Sequence, residues 1–401
     1  MRNILIKTKS LLKPEDMNKY NFDEIVDRFN SGSYKWDVKN GELPMWVADM
    51  DFHVLRQIKD AIKQRLDIDA YGYCECPAEY FESYRLWFRT KYHLDLDTKW
   101  MVFSSGVVAS IDSILKHLLP KGSGVIVQSP VYHVFYHCIE NNEMKVVENK
   151  LIYDKNYKID FQQFELLIKD ENNRAMILCN PHNPVGRVWA PEELKKIADL
   201  CEKHNVLLIS DEIHCDITEL GVKYTSIYEV TKNAIMLVSP SKTFNIAGLH
   251  ASVAICANDE LREKMKKGFG QDDIGEPNYI APYATIAAYV NGLFWVEEMC
   301  KYVFDNKKYI QDFLNKELPD IHLIDNQATY LLWIDISKYS HNSVAFTKDL
   351  REKSGLFVSP GSQFGSGGEG FIRINVATSL ANVKDACERL KYYIKNLSKN
   401  A

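Results

Sequence analysis

Four short apolar runs set the limits on what this chain can fold into: Gly124-Val125-Ile126-Val127-Gln128, Ala175-Met176-Ile177-Leu178-Cys179, Val206-Leu207-Leu208-Ile209-Ser210 and Ala234-Ile235-Met236-Leu237-Val238. Each is continuous rather than alternating, which is the pattern of a strand covered on both faces. Between the second and third, Pro191-Glu192-Glu193-Leu194 opens a helix whose apolar positions Leu194, Ile197, Leu200 and Cys201 keep a helical period. Strands alternating with such helices predict an α/β fold with a mostly parallel sheet. Ligands in such sheets bind beyond the carboxyl ends of the strands. Each run leads there into a residue able to do chemistry: Tyr132, Asn183, Asp211 and Lys242 in turn.

At 401 residues, 46% of them hydrophobic, the chain exceeds what one core usually serves, so two domains are expected. The C-terminal third changes character. Tyr330-Leu331-Leu332-Trp333-Ile334 and Gly370-Phe371-Ile372-Arg373-Ile374-Asn375 read as strands, and a closing helix from Ser379 to Leu397 carries one apolar face. This predicts a smaller α+β domain beginning near residue 297.

A net charge of -5 without long charged blocks gives no reason to invoke nucleic acid or an anionic membrane. Small molecules or protein are the expected partners. The nine cysteines show no zinc spacing and read as buried thiols of a reducing compartment. No run approaches a membrane span, and Ile4-Leu5-Ile6 is too short for a signal peptide, so a cytoplasmic protein is expected. Residues 1–16 precede a second methionine, Met17, and read as an unstructured leader or a misplaced start outside the fold.

Ser239-Pro240-Ser241-Lys242-Thr243-Phe244-Asn245 follows the fourth strand directly. A lysine in that loop is either a solvated charge or an amine placed to form a Schiff base. Taken in series, Asn180-Pro181-His182-Asn183-Pro184-Val185-Gly186, Ser210-Asp211-Glu212-Ile213-His214 and Ser239-Pro240-Ser241-Lys242 resemble the fold-type I enzymes of the aminotransferase superfamily, which use pyridoxal 5'-phosphate. More specific marks resemble the MalY/PatB group of carbon-sulfur lyases, the cystathionine β-lyases. These are Phe22-Asp23 through Arg28, Lys35-Trp36-Asp37, Trp46-Val47-Ala48-Asp49-Met50-Asp51-Phe52, Tyr71-Gly72-Tyr73, Asp211-Glu212-Ile213-His214 and Phe371-Ile372-Arg373-Ile374-Asn375.

That resemblance implies a large domain, residues 61–296, with a mostly parallel seven-stranded sheet, and a small domain, 297–401, against which residues 1–60 pack. It implies that Lys242 holds the cofactor and then serves as the base for the substrate's α-proton. Asp211 pairs with the pyridine nitrogen, or is simply a helix cap. Asn183 and His214 lie at the cofactor's phenolic oxygen, and Tyr132 stacks on its ring or is a core aromatic. Phosphate falls to Gly106, Val107 and Val108 at a helix start whose apolar face is Val108, Ile111, Leu115 and Leu118, helped by Ser239 and Ser241. Tyr73 is contributed from a neighbouring subunit to cofactor and substrate, which implies a homodimer. Arg373 clamps the substrate carboxylate, or is a strand arginine facing solvent, and Ala48 also contacts substrate.

Two positions depart from the wider superfamily. His214 stands where a tyrosine is usual, a change shared with the lyase group, and His250 stands where an arginine is usual at the phosphate. The implied reaction is β-elimination from cystathionine, cysteine S-conjugates or cysteine, giving pyruvate, ammonia and a thiol. Transamination is the alternative, and a regulatory role in binding a partner is a second one. Trp46, Tyr330 and Gly275-Glu276-Pro277-Asn278 either line the substrate side-chain site or pack.

Overall fold

The computed structural model describes residues 20–397, so the expectation for residues 1–16 lies outside the described residues. The four apolar runs enter one seven-stranded sheet. Its strands are β1 (Met101–Ser104), β2 (Gly124–Val127), β3 (Lys145–Glu148), β4 (Asn173–Cys179), β5 (Leu207–Asp211), β6 (Ala234–Val238) and β7 (Ser252–Cys256). The spatial order is β1-β7-β6-β5-β4-β2-β3. All neighbours are parallel except β7, which runs antiparallel to β1 and β6. The sheet is therefore the mostly parallel one that the continuous apolar runs predict.

Both faces of that sheet are buried, which is why the runs do not alternate with polar residues. Met176 and Leu178 of β4 pack into one core, and Ala175, Ile177 and Cys179 into the other. In β6, Met236 and Val238 face the first core while Ile235 and Leu237 face the second. Fully burying each large aliphatic side chain stabilises the fold by about 1.5–3 kcal/mol.

Helix α1 (Val107–Leu118) starts where β1 ends. Its core stripe differs from the expected one. Val107, Ile111, Ile114 and Leu115 are buried, whereas Val108 is 38% exposed, because the first turn projects over an open cleft. Helix α2 (Pro191–Lys203) begins as expected at its proline, with Glu193 Oε2 accepting from the Ala190 N–H at 2.7 Å. The cysteines also need one correction. Seven are buried, but Cys74 and Cys76 are partly exposed, because they lie in a loop before a helix rather than on a core face.

A second sheet contains β8 (His322–Leu323), β9 (Leu331–Asp335), β10 (Ser359–Pro360) and β11 (Phe371–Asn375), ordered β8-β9-β11-β10 and wholly antiparallel. Helix α3 (Leu293–Glu317) packs with the closing helix α4 (Leu380–Leu397) beside it. The segment Trp46–Phe52 follows Leu43–Pro44, which pairs in parallel with Leu356–Phe357. It then runs between β11 and the loop after β6, bringing residues distant in sequence to one place. Among the described residues no helix is long and apolar enough to cross a membrane.

Candidate active site

A cleft with a cavity volume of about 220 Å³ opens at the carboxyl ends of β4, β5 and β6. Ala48, Gly106, Val107, Val108, Tyr132, Asn183, Asp211, His214, Ser239, Ser241, Lys242 and His250 all line it. Ser105, Cys179, Ile213, Ala247 and Ala251 complete the wall. Cys179 carried no site expectation, although its place as the last residue of β4, paired in register with Asp211, is the signal that could have marked it.

Asp211 ends β5 and is 4% exposed. Its Oδ1 accepts from the Ile213 N–H at 3.0 Å. Burial raises the carboxyl to about 7, with the Ile213 N–H pulling the other way. Lys242 lies across the cleft, its Nζ donating to the Ala48 carbonyl at 2.8 Å. Burial lowers its amine to about 8, while Asp49 and Asp211 raise it and Arg373 lowers it further. A carboxyl short of positive charge and an amine close to losing its proton thus share one enclosure. That pairing is characteristic of sites built for proton transfer.

His214 is buried and neutral. Burial first, then the charges of Lys242 and Arg373, lower it to about 3, and its Nδ1 has no hydrogen-bond partner among the described residues. Tyr132 presents its ring at the same wall, and burial raises its hydroxyl to about 12. At the floor, Gly106 precedes α1, and a Cβ built there would meet no protein atom within 4 Å. Packing therefore does not demand glycine, and the room lies beside the helix start, whose first N–H groups lack intrahelical partners. Ser239 Oγ donates to the Ala251 carbonyl at 2.7 Å and accepts from the Ser241 N–H at 3.1 Å, which fixes the turn before Lys242.

Arg373 stands just behind this wall. It is 4% exposed in the middle of β11, so the solvent-facing alternative does not hold. Its Nη1 donates to Asn183 Oδ1 at 3.1 Å and its Nη2 to the Trp46 carbonyl at 2.9 Å, while Nε is buried with no partner among the described residues. A buried guanidinium with a spare donor suits a carboxylate.

Tyr73 does not line the cleft and is fully exposed on its own chain. Trp46 stacks on Phe357 with ring centroids 4.9 Å apart, and Tyr330 lies buried with its ring edge-on to His214, centroids 6.3 Å apart. Neither lines the cleft, nor does Gly275-Glu276-Pro277-Asn278, where Asn278 Nδ2 ties back to the Leu249 carbonyl.

Sequence reasoning missed the scaffold behind Ala48. Lys35 is fully buried, with Nζ 2.9 Å from Asp51 Oδ2, and Trp36 Nε1 donates to Asp51 Oδ1 at 2.8 Å. Arg28 bridges Asp49 and Asp51 at 2.9 and 3.1 Å. The signal was present in Asp49 and Asp51, two acids set among Met50 and Phe52 in an apolar segment, which demand buried cationic partners.

Residues 28–390 match the family described as aminotransferase class I and II. The chain is 36% identical to cystathionine beta-lyase PatB of Bacillus subtilis (strain 168), covering 92% of this chain and 99% of that one. It is 31% identical to protein MalY of Escherichia coli (strain K12), over 89% of this chain and 94% of the relative. Among solved structures, cystalysin from Treponema denticola, which contains a pyridoxal 5'-phosphate cofactor, superimposes with a TM-score of 0.90 at 34% identity, covering 94% and 99% of the two chains.

Proposed function

The chain belongs to the aminotransferase class I and II family, and from that premise we propose that it is a pyridoxal 5'-phosphate-dependent carbon-sulfur lyase acting on cystathionine, cysteine S-conjugates or cysteine. The observation that carries the reading is the pairing of the Lys242 amine with the buried Asp211 carboxyl in one cleft. The lyase branch is supported by relatives such as PatB, which carries the name cystathionine beta-lyase and matches nearly the whole chain. In this reading residues 61–296 form the cofactor-binding domain and 297–401 the smaller one.

The residues present fit that cofactor. Burial outweighs the Lys242 amine and the Ile213 N–H and holds the Asp211 carboxyl up at about 7, so a protonated ring nitrogen beside it would favour its ionised form. The N–H groups of Val107 and Val108, with Ser239 and Ser241, suit a phosphate beside the open Gly106 position. Asn183 and neutral His214 offer hydrogen bonds to a ring oxygen, and Tyr132 a face for stacking. When bound, the cofactor supplies an electron sink that lets an amino acid release its α-proton.

Arg373 orients the substrate carboxylate through its spare donor. Lys242 first holds the cofactor by its amine and, once freed, takes the α-proton on Nζ. With its amine near 8, Lys242 is matched to a thiol of about 8.5. The same nitrogen can therefore pass a proton to the departing sulfur, which leaves far more readily than a hydroxyl because a thiolate is much the weaker base. The test is acceptor-free turnover: L-cystathionine or an S-alkyl cysteine is expected to give pyruvate and thiol in equal amounts with no keto acid added. Amino transfer only when a keto acid is present would establish the aminotransferase alternative instead.

Tyr73 belongs to the same proposal. It is fully exposed, and Leu66, Ile68 and Tyr71 close by in sequence are exposed too, a cluster that favours an interface. We place Tyr73 in the cleft of a second copy, making the active unit a homodimer. Mixing Tyr73→Ala and Lys242→Ala proteins under subunit exchange is then expected to restore turnover that neither has alone, since one cleft of each mixed dimer is intact. Mixtures that stay as inactive as their parents would remove Tyr73 from the site.

A further inference from the structure

Every backbone carbonyl from Trp46 to Phe52 accepts a hydrogen bond. Trp46 is held by Ser359 Oγ at 2.8 Å and Arg373 Nη2 at 2.9 Å, and Val47 by Asn375 Nδ2 at 2.7 Å. The Asp49 carbonyl takes Lys35 Nζ at 3.0 Å and Asn375 Nδ2 at 2.8 Å, and Asp51 takes the Val26 N–H at 3.0 Å. Met50 and Phe52 both receive Asn245 Nδ2, at 3.0 and 3.2 Å. The carbonyl left in the middle is that of Ala48, and its donor is Lys242 Nζ. An extended segment outside any sheet has no ladder to fix it. Here most of the fixing comes from side chains, with backbone bonds from Val26 to Asp51 and from Asp51 to Ala377, and the Ala48 carbonyl, held by neither Asn375 nor Asn245, faces the amine that does the chemistry.

Asn245 joins the two halves of this arrangement. It lies three residues after Lys242 in the same loop, at φ 57°, a left-handed conformation that asparagine tolerates better than most residues. Its Oδ1 accepts from the Met50 N–H at 3.1 Å while its Nδ2 donates to the Met50 carbonyl. One amide thus sets the register between the loop that carries Lys242 and the segment that carries Ala48.

We infer that the Ala48 carbonyl is the holding point for the Lys242 amine whenever that amine is not bonded to cofactor, and that Asn245 is the positioning residue that sets its place. This rests on the reading of Lys242 as the cofactor lysine. Lysine is a flexible four-carbon stem ending in a small polar group, so without an acceptor at a fixed point the amine samples many directions. Held by one N–H, it keeps its remaining valences toward the cleft. Misplacing a reacting group by about 1 Å costs up to roughly a hundredfold in rate.

The experiment uses cofactor-free protein and follows covalent capture of pyridoxal 5'-phosphate by absorbance, with pyridoxamine 5'-phosphate as the comparison because its amine cannot bond to a lysine. Asn245→Gly keeps the backbone conformation and removes the amide. Asn245→Asp is the second variant, keeping an acceptor for the Met50 N–H and losing both donations. Capture is expected to slow about tenfold or more in each folded variant, with pyridoxamine 5'-phosphate affinity unchanged. Wild-type capture rates in both variants would overturn the inference, and so would an equal loss of pyridoxamine 5'-phosphate affinity, which would make Asn245 a wall of the cleft rather than an aim for the amine. Failure of the wild-type protein itself to capture cofactor would overturn the Lys242 reading, and the inference with it.

Discussion

Lys242→Ala is expected to lower acceptor-free pyruvate release by about 10⁴-fold, the upper range for loss of a positioned proton-transfer group, and to leave the fold intact. The second half of that statement follows from its contacts. The Lys242 amine makes a hydrogen bond to the Ala48 carbonyl, and the segment around Ala48 is held independently by Lys35, Asn375, Ser359 and Asn245. Thermal melting of the cofactor-free variant should therefore stay close to that of the parent. Added small primary amines are expected to restore part of the rate, because the missing function is a proton acceptor in a cleft that remains open. A variant with nearly normal turnover would remove Lys242 from the reaction.

Asp211→Asn is expected to lower turnover by roughly 10²–10³-fold, the scale for removing one preorganised charge from a buried site, because the amide cannot keep a ring nitrogen protonated. It also has a signature without cofactor. Burial lifts the Asp211 carboxyl to about 7 in the folded chain, above an unfolded value of roughly 3.9. The folded chain therefore binds the proton more tightly. The stability this contributes is fully present below the unfolded value and is lost as pH rises through about 7. Asparagine cannot ionise, so it lacks that loss. The cofactor-free parent should fall in melting temperature relative to Asp211→Asn as pH is raised through this window. A constant difference would mean that Asp211 is ionised and already paired in the folded chain.

The fold was legible because the sheet is covered on both sides, so its strands appear as unbroken apolar runs, and Lys242, Asp211 and Asn183 stand just after them. Arg373 was not legible in the same way. All of β11 is buried, so alternation with Phe371 and Ile372 carries no information about which side meets solvent. Val108 follows a helical period as well as its neighbours do, yet only the position of the cleft decides that it faces open space. Lys35 was legible only as part of a family mark. Its burial against Asp51 exists only once Trp46–Phe52 has been laid against β11.

The claim on which the rest depends is that the chemistry is run from the Lys242 amine. Borohydride reduction of the protein loaded with pyridoxal 5'-phosphate, followed by proteolysis and mass measurement, reads that directly. The account predicts a single cofactor adduct on the peptide containing Ser239-Pro240-Ser241-Lys242, absent in Lys242→Ala. An adduct on any other lysine, or one that persists in the variant, would contradict it.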